Sequence, residues 1–271
     1  MKAIKPSPPP PFELFDCHAH LDEFADLNEV LEQAAGAGVT RVIAVGVNVR
    51  TSRRILEIAA QPSPVPVSPA IGLYPDEVTR QELEDILSLI EESRDRVIAL
   101  GEIGLDYWIR PLRKKQPGRQ EIKALQQQAF RRQLEAARAA DLPVIVHSRG
   151  AWPDAVRLVG ESGLKRALFH WYSGPLEVLE EIIRRGYLVS ATPAATSSPP
   201  LRAVIQAAPL ENIVLETDCP VPRRVGERRV PTTPADVRIS LRAVADLKGI
   251  SLEETARMTA SNAEEFFGLA P

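Results

Sequence analysis

Short apolar runs rich in Val, Ile and Leu recur along this chain, and between them apolar residues return at helical spacing. The runs are FELFDCHAH (12–20), RVIAVGVN (41–48), VPVSPAIGLYP (65–75), VIALGEIGLDY (97–107), LPVIVHS (142–148), RALFHWYSG (166–174), YLVSATPA (187–194) and NIVLETDCP (212–220). Most are continuous rather than alternating in hydrophobicity, the pattern of strands buried on both faces of a parallel sheet. The intervening spacing predicts helices over 27–38, 50–60, 80–95, 121–141, 152–163, 175–186 and 198–209. The first of these stops on glycine, a usual helix end. About eight strand–helix units in 271 residues predict an α/β fold, a (β/α)8 TIM barrel, running as one domain over 12–271. A doubly wound open sheet has the same alternation, but its glycine-rich phosphate fingerprint is missing after the first strand. The start, MKAIKPSPPPPFE, has no apolar segment of the secretory kind and predicts a short polyproline-like tail over 1–11.

The four histidines all fall at the downstream ends of these runs: His18 and His20 in FDCHAH, His147 in VIVHSR and His170 in LFHWYSG. Glu102 in LGEIGLDY and Asp218 in LETDCP occupy the same kind of place. A barrel carries its active site at the C-terminal ends of its strands. The six side chains therefore converge there from strands one, four, five, six and eight. His18 and His20, two apart on a strand, project the same way. Taken singly, His147 or His170 has a core histidine as its lesser reading, Glu102 a buried partner of Arg149, and Asp218 a helix N-cap. Taken together, histidines and carboxylates at strand ends are the ligands of a hydrolytic metal centre. Six ligands serve two ions if one carboxylate bridges. Glu102, from the middle of the ring, is the best bridge, and Asp218, on the last strand, the best base. Two ions about 3.5–4 Å apart acidify a shared water and clamp both oxygens of an in-line displacement. Imidazole with carboxylate suits Zn²⁺, Mn²⁺, nickel or iron, whereas Mg²⁺ prefers oxygen.

Composition narrows the setting. A net charge of -3 gives no global basic field, so any nucleic-acid contact is local. No apolar run approaches the ~20 residues that span a bilayer. Cys17 and Cys219, the two cysteines, make no disulfide framework, and a reducing cytoplasm is expected. Because neighbours on a strand alternate, both read as small fillers pointing away from the site. No obligate protein partner is implied.

The segments FDCHAHLD, GEIGLDY, LPVIVHSR, HWYSG and ETDCP, in this order, resemble the TatD family of metal-dependent deoxyribonucleases, within the amidohydrolase superfamily of (β/α)8 barrels. The resemblance runs from about Phe15 to Gly268 and takes in GLYP, QQQAFRRQLEAA and SNAEEFFG. It implies a two-metal hydrolase. His18, His20, Glu102 and Asp218 would hold one ion, with Glu102 bridging to a second held by His147 and His170. Asp218 would orient or deprotonate the attacking water. The family's activity is 3′–5′ exonucleolytic on DNA, supported by Mg²⁺ or Mn²⁺, with Zn²⁺ a further candidate here. Single-stranded or frayed DNA ends are then the expected substrate. Some relatives remove D-amino acids from tRNA, so a D-aminoacyl-tRNA deacylase is one alternative. An amidohydrolase acting on a small C–N or C–O substrate is another.

Three departures from the family pattern bear on substrate. Near strand three the family's Gly-x-His-Pro-His is here Gly72-Leu73-Tyr74-Pro75-Asp76, so Tyr74 becomes the phosphate-contacting candidate. At strand six, Trp171-Tyr172 precede Ser173, making Tyr172 a candidate for stacking on a base and Ser173 a candidate contact. After strand eight, Ala-Pro-Tyr is replaced by Cys219-Pro220-Val221, with a basic stretch retained. Arg110, Arg113, Lys114, Lys115 and Arg119 in one loop, and Arg223, Arg224, Arg228 and Arg229 in another, form a candidate phosphate rim. Arg149, directly after a ligand, is the best single phosphate contact or else a partner of a carboxylate such as Glu216.

Overall fold

The computed structural model describes residues 13–109, 112 and 118–269. The tail expected over 1–11 lies outside the described residues, as do Arg110, Arg113, Lys114 and Lys115. Eight parallel strands pair in sequence order: β1 (Leu14–Ala19), β2 (Val39–Val45), β3 (Val67–Ile71), β4 (Ala99–Gly104), β5 (Val144–His147), β6 (Ala167–Phe169), β7 (Leu188–Ala191) and β8 (Ile213–Leu215). Each of the first seven is followed by a helix: α1 (Leu27–Gly36), α2 (Val49–Ala59), α3 (Arg80–Ser93), α4 (Arg119–Ala139), α5 (Trp152–Ser162), α6 (Leu176–Arg184) and α7 (Pro199–Ala207). Two more, α8 (Val237–Lys248) and α9 (Leu252–Phe267), complete the chain. The architecture is the (β/α)8 barrel. Among the described residues no helix is long and apolar enough to cross a membrane.

Local chemistry sets the helix starts. Asp26, Thr79 and Ser251 each accept a bond from the backbone N–H three residues on, and Asn48 with Thr51 forms a reciprocal capping box.

The ring closes between β8 and β1 by a single bridge, Ala19 opposite Cys219. The Asp218 N–H donates to the His18 carbonyl at 3.0 Å and the His20 N–H to the Cys219 carbonyl at 2.8 Å. Just below, the buried Asp16 carboxylate accepts from the Thr217 N–H at 2.9 Å and its hydroxyl at 2.6 Å. A side chain thus ties the seam where ladder bonds are few.

The barrel interior is filled by one cluster drawn from every strand, including Phe15, Ile43, Ala70, Ile145 and Val214, and joined by Phe266 and Phe267 of α9. Asn262 donates to the carbonyls of Leu210 and Ile213, both at 2.8 Å, just ahead of β8. Helix α9 therefore caps the N-terminal mouth, and the C-terminal mouth carries the site. Cys17 belongs to the inner cluster, not to the far side as alternation predicted. The β1–β2 register shifts between Asp16 and Ala19, so an irregularity breaks the simple period there. Cys219 packs in the layer between sheet and helices.

Strands β4 and β5 approach closely beneath the site. Gly104 has φ 144°, and a Cβ there would collide with the carbonyl of His147. Gly104→Ala is expected to cost at least about 3 kcal/mol from backbone strain and overlap. A urea-unfolding midpoint equal to that of the unaltered protein would contradict this close approach.

Candidate metal centre

The strand ends deliver His18, His20, Glu102, His147, His170 and Asp218 to one place at the C-terminal mouth. His18 Nε2 lies 3.5 Å from both Glu102 Oε2 and Asp218 Oδ1, and His20 Nε2 lies 3.7 and 3.3 Å from the same two oxygens. The other oxygen, Glu102 Oε1, lies 2.7 Å from His147 Nδ1 and 2.8 Å from His170 Nε2. The two carboxylate oxygens of Glu102 thus face different pairs of imidazoles. Two sets of donor atoms, His18–Glu102–His170 and His18–His20–Asp218, each fit within 4.8 Å.

These residues fit a bound cation better than they fit one another. Both ring nitrogens of the fully buried His18, together with His170 Nδ1, have no hydrogen-bond partner, an expensive arrangement for buried polar atoms. The separations around His18 and His20 are too long for hydrogen bonds. Metal–nitrogen bonds of ~2.1 Å at tetrahedral angles place donor atoms about 3.4 Å apart, close to what is seen. Burial alone would raise the Glu102 pKa, but the surrounding His170, His147 and His18 outweigh it and hold the carboxylate ionised, well below its usual range. Asp218 is held low in the same way, against its burial, by His20, His18 and His170. Burial would lower the His20 pKa, but the Asp218 carboxylate beside it, with Glu102, raises it to about 9.

Two residues of the centre sit on left-handed backbone, Trp171 (φ 41°) and Asp218 (φ 52°). Aspartate tolerates this region; a bulky tryptophan rarely adopts it. The Trp171 N–H is secured by Ser190 Oγ at 2.7 Å and Glu216 Oε1 at 3.0 Å. The kink turns Trp171 into the cleft beside His170, while Tyr172 is fully buried with its hydroxyl donating to the Pro175 carbonyl at 2.8 Å. Tyr172 is therefore not available to a base, contrary to the sequence expectation. The aromatic neighbour that lines the cleft, partly exposed, is Trp171.

Tyr74, Arg149 and Ser173 do line the cleft, of about 770 Å³, with the centre at its floor. Their positions depend on a residue the sequence did not single out. Asp106, fully buried, receives the Arg149 guanidinium (Nε at 2.9 Å), the Tyr74 hydroxyl at 3.2 Å and His147 Nε2 at 3.2 Å. Arg149 thus pairs with Asp106, not with Glu216 or Glu102. Burial pushes the Asp106 pKa up, but His147 and Arg149 outweigh it and bring it to about 2. With Nε2 held by a permanent anion, His147 keeps its proton there and presents Nδ1 to the centre, the usual second-layer arrangement around a ligating histidine. Glu216, also buried, stands 3.7 Å from His170 Nδ1.

Helix α4 fixes the loops that carry these groups. Buried Gln133 accepts from the Leu73 N–H at 2.7 Å and donates to its carbonyl at 3.2 Å. Gln126, two turns earlier, accepts from the Asp106 N–H and donates to the carbonyls of Asp106 and Pro75, all at 3.2 Å. The glutamines satisfy loop backbone that no strand pairs. Asp106→Asn is expected to weaken Mn²⁺ binding or kcat/KM about 10–100-fold. Unchanged values in a metal titration and a rate assay would remove Asp106 from the positioning role.

The chain matches the family described as TatD related DNase over residues 15–268. It is 35% identical over 266 residues to the human protein named deoxyribonuclease TATDN3, covering 94% of each chain. It is 31% identical over 263 residues to the uncharacterized metal-dependent hydrolase YabD of Bacillus subtilis (strain 168), covering 94% of this chain and 98% of that one. The solved structure of the TatD homologue YJJV from Escherichia coli K12 superposes with a TM-score of 0.83 at 27% identity, over 95% of this chain and 98% of the other.

Proposed function

The chain belongs to the TatD related DNase family, a metal-dependent hydrolase acting on ester bonds, and from that premise we propose that it is a 3′–5′ exodeoxyribonuclease using two divalent ions. One observation carries the reading: Glu102 turns Oε2 toward His18 and His20 and Oε1 toward His147 and His170. His18, His20, Glu102 and Asp218 would hold one ion; Glu102, His147 and His170 would hold the other. When bound, the ions supply the Lewis acidity that acidifies water and neutralises phosphate charge. Two imidazoles per ion favour Mn²⁺ or Zn²⁺ over Mg²⁺ in affinity, although Mg²⁺ at cellular abundance remains a working cofactor in this reading.

Asp218 accepts the proton of the attacking water. Its carboxylate is ionised and opens on the cleft, so it is a base in the correct state. Arg149, half-exposed at the rim and anchored on Asp106, contacts a non-bridging phosphate oxygen. Ser173 donates its hydroxyl to the same phosphate or its sugar, while Tyr74, whose hydroxyl proton goes to Asp106, lines the cleft beside them. Recognition through phosphates carries little sequence preference, which suits single-stranded or frayed DNA ends.

End-labelled single-stranded DNA incubated with Mg²⁺, Mn²⁺ or EDTA tests the reading. A ladder growing from the 3′ end, abolished by EDTA, is expected. Internal cuts independent of the end would replace exonuclease by endonuclease. No cleavage by metal-loaded protein would overturn the DNase reading.

A further inference from the structure

A second cavity, of about 830 Å³, adjoins the metal cleft and shares Trp171, Val221 and Pro222 with it as a common wall. Its far side is a hairpin, β9 (Arg223–Val225) and β10 (Arg228–Val230), formed by the basic stretch expected as a loop. In the ladder Arg224 stands directly opposite Arg229. Like charges placed so are mutually destabilising unless an anion lies between them. Both line the cavity, and among the described residues neither forms an ion pair, whereas Arg223 is bound to Asp236 at 2.9 Å. Across the cavity stand the exposed hydroxyl residues Thr196 and Ser197. One carboxylate, Glu227, also lines it, leaving the arginine pair in excess. Arg228, expected from the sequence in the phosphate rim, lines neither cavity and so stands outside the binding machinery.

Resting on the nuclease reading above, we infer that this second cavity is a phosphate subsite, which takes the next phosphodiester of the strand whose scissile bond lies in the metal cleft. Trp171 forms the ridge between the two and offers its ring to the intervening base. Its backbone N–H is held by Ser190 and Glu216, which fixes the left-handed kink that carries the ring. A preset aromatic face between two anion sites is the arrangement that grips a single strand irrespective of base. The substrate class is therefore an oligonucleotide with at least two phosphodiesters, not a mononucleotide or small ester.

The test compares KM for a single-stranded 12-mer and for a dinucleotide, which has no second phosphodiester, in the full-length enzyme, in R224Q/R229Q and in R228Q. In the double variant the 12-mer KM is expected to rise about tenfold, as for loss of charge-assisted contacts. The slope of log KM against log salt is expected to shrink by about 0.7–1.4. The dinucleotide discrimination should fall by the same factor, and R228Q should leave the 12-mer KM within about twofold. A 12-mer KM in the double variant equal to that of the unaltered enzyme would overturn the subsite. So would an equal rise in R228Q, which would mark a diffuse charge effect. If the unaltered enzyme, metal-loaded, hydrolyses neither substrate, the nuclease reading itself fails, a result distinct from both.

Discussion

Replacing Glu102 by alanine should lower kcat/KM on DNA by at least about 10³-fold, some 4 kcal/mol of transition-state stabilisation. Glu102 stands between the two halves of the centre: its two oxygens face all four imidazoles. Its loss removes one donor from each proposed ion and leaves Asp218 as the one carboxylate among the remaining five ligands. Bound metal, measured by elemental analysis after gel filtration, should fall with activity. The fold should persist, because the inner and outer apolar clusters are built without Glu102; circular dichroism would report that. A variant that stays folded and retains a tenth of normal activity would remove Glu102 from the bridging role.

Asp218→Asn should reduce kcat by about 10²–10⁴-fold, the usual worth of a positioned base, with a smaller effect on KM. Asparagine is the informative change. The residue sits at φ 52°, where asparagine is as comfortable as aspartate and alanine is not. The turn and its bonds to β1 therefore survive, and only the charge and the proton-accepting oxygen are lost. Bound metal should fall less than in the Glu102 variant, since His18, His20 and Glu102 remain. If KM rises while kcat is unchanged, Asp218 serves binding and the base lies elsewhere.

The barrel was legible because strands covered on both faces are apolar at consecutive positions, and all eight strands and seven predicted helices occur where expected. The strand ends were overextended. VIALGEIGLDY reads as one run, yet β4 ends at Gly104, and Leu105 and Tyr107 are buried beyond it in the outer apolar cluster. The hairpin of β9 and β10 was missed because its strands are short and arginine-rich, with too few apolar positions to show a period. The six candidate ligands were legible as strand-end residues, whereas nothing in the run VIALGEIGLDY singles out Asp106. What distinguishes it is convergence of Tyr74 from beyond β3 with His147 and Arg149 from the end of β5, and no local pattern records that. Tyr172 was misplaced because alternation fails at a left-handed residue, and nothing in the string HWYSG shows that Trp171 is one.

The seam between β8 and β1 gives the barrel a place to breathe. Every other neighbouring pair of strands shares at least two paired positions, whereas this one has a single bridge reinforced by Asp16. Parting it breaks few backbone bonds and leaves seven ladders intact, so it is the cheapest opening of the ring. That same opening draws His18 and His20 away from Asp218, which stands on the opposite lip. Amides of His20 and Asp218 should accordingly exchange with deuterium sooner than that of Val146 in β5. On warming, hydrolysis should fade several degrees before helical signal does, so that the enzyme is silenced by a loosened clasp while most of its architecture still stands.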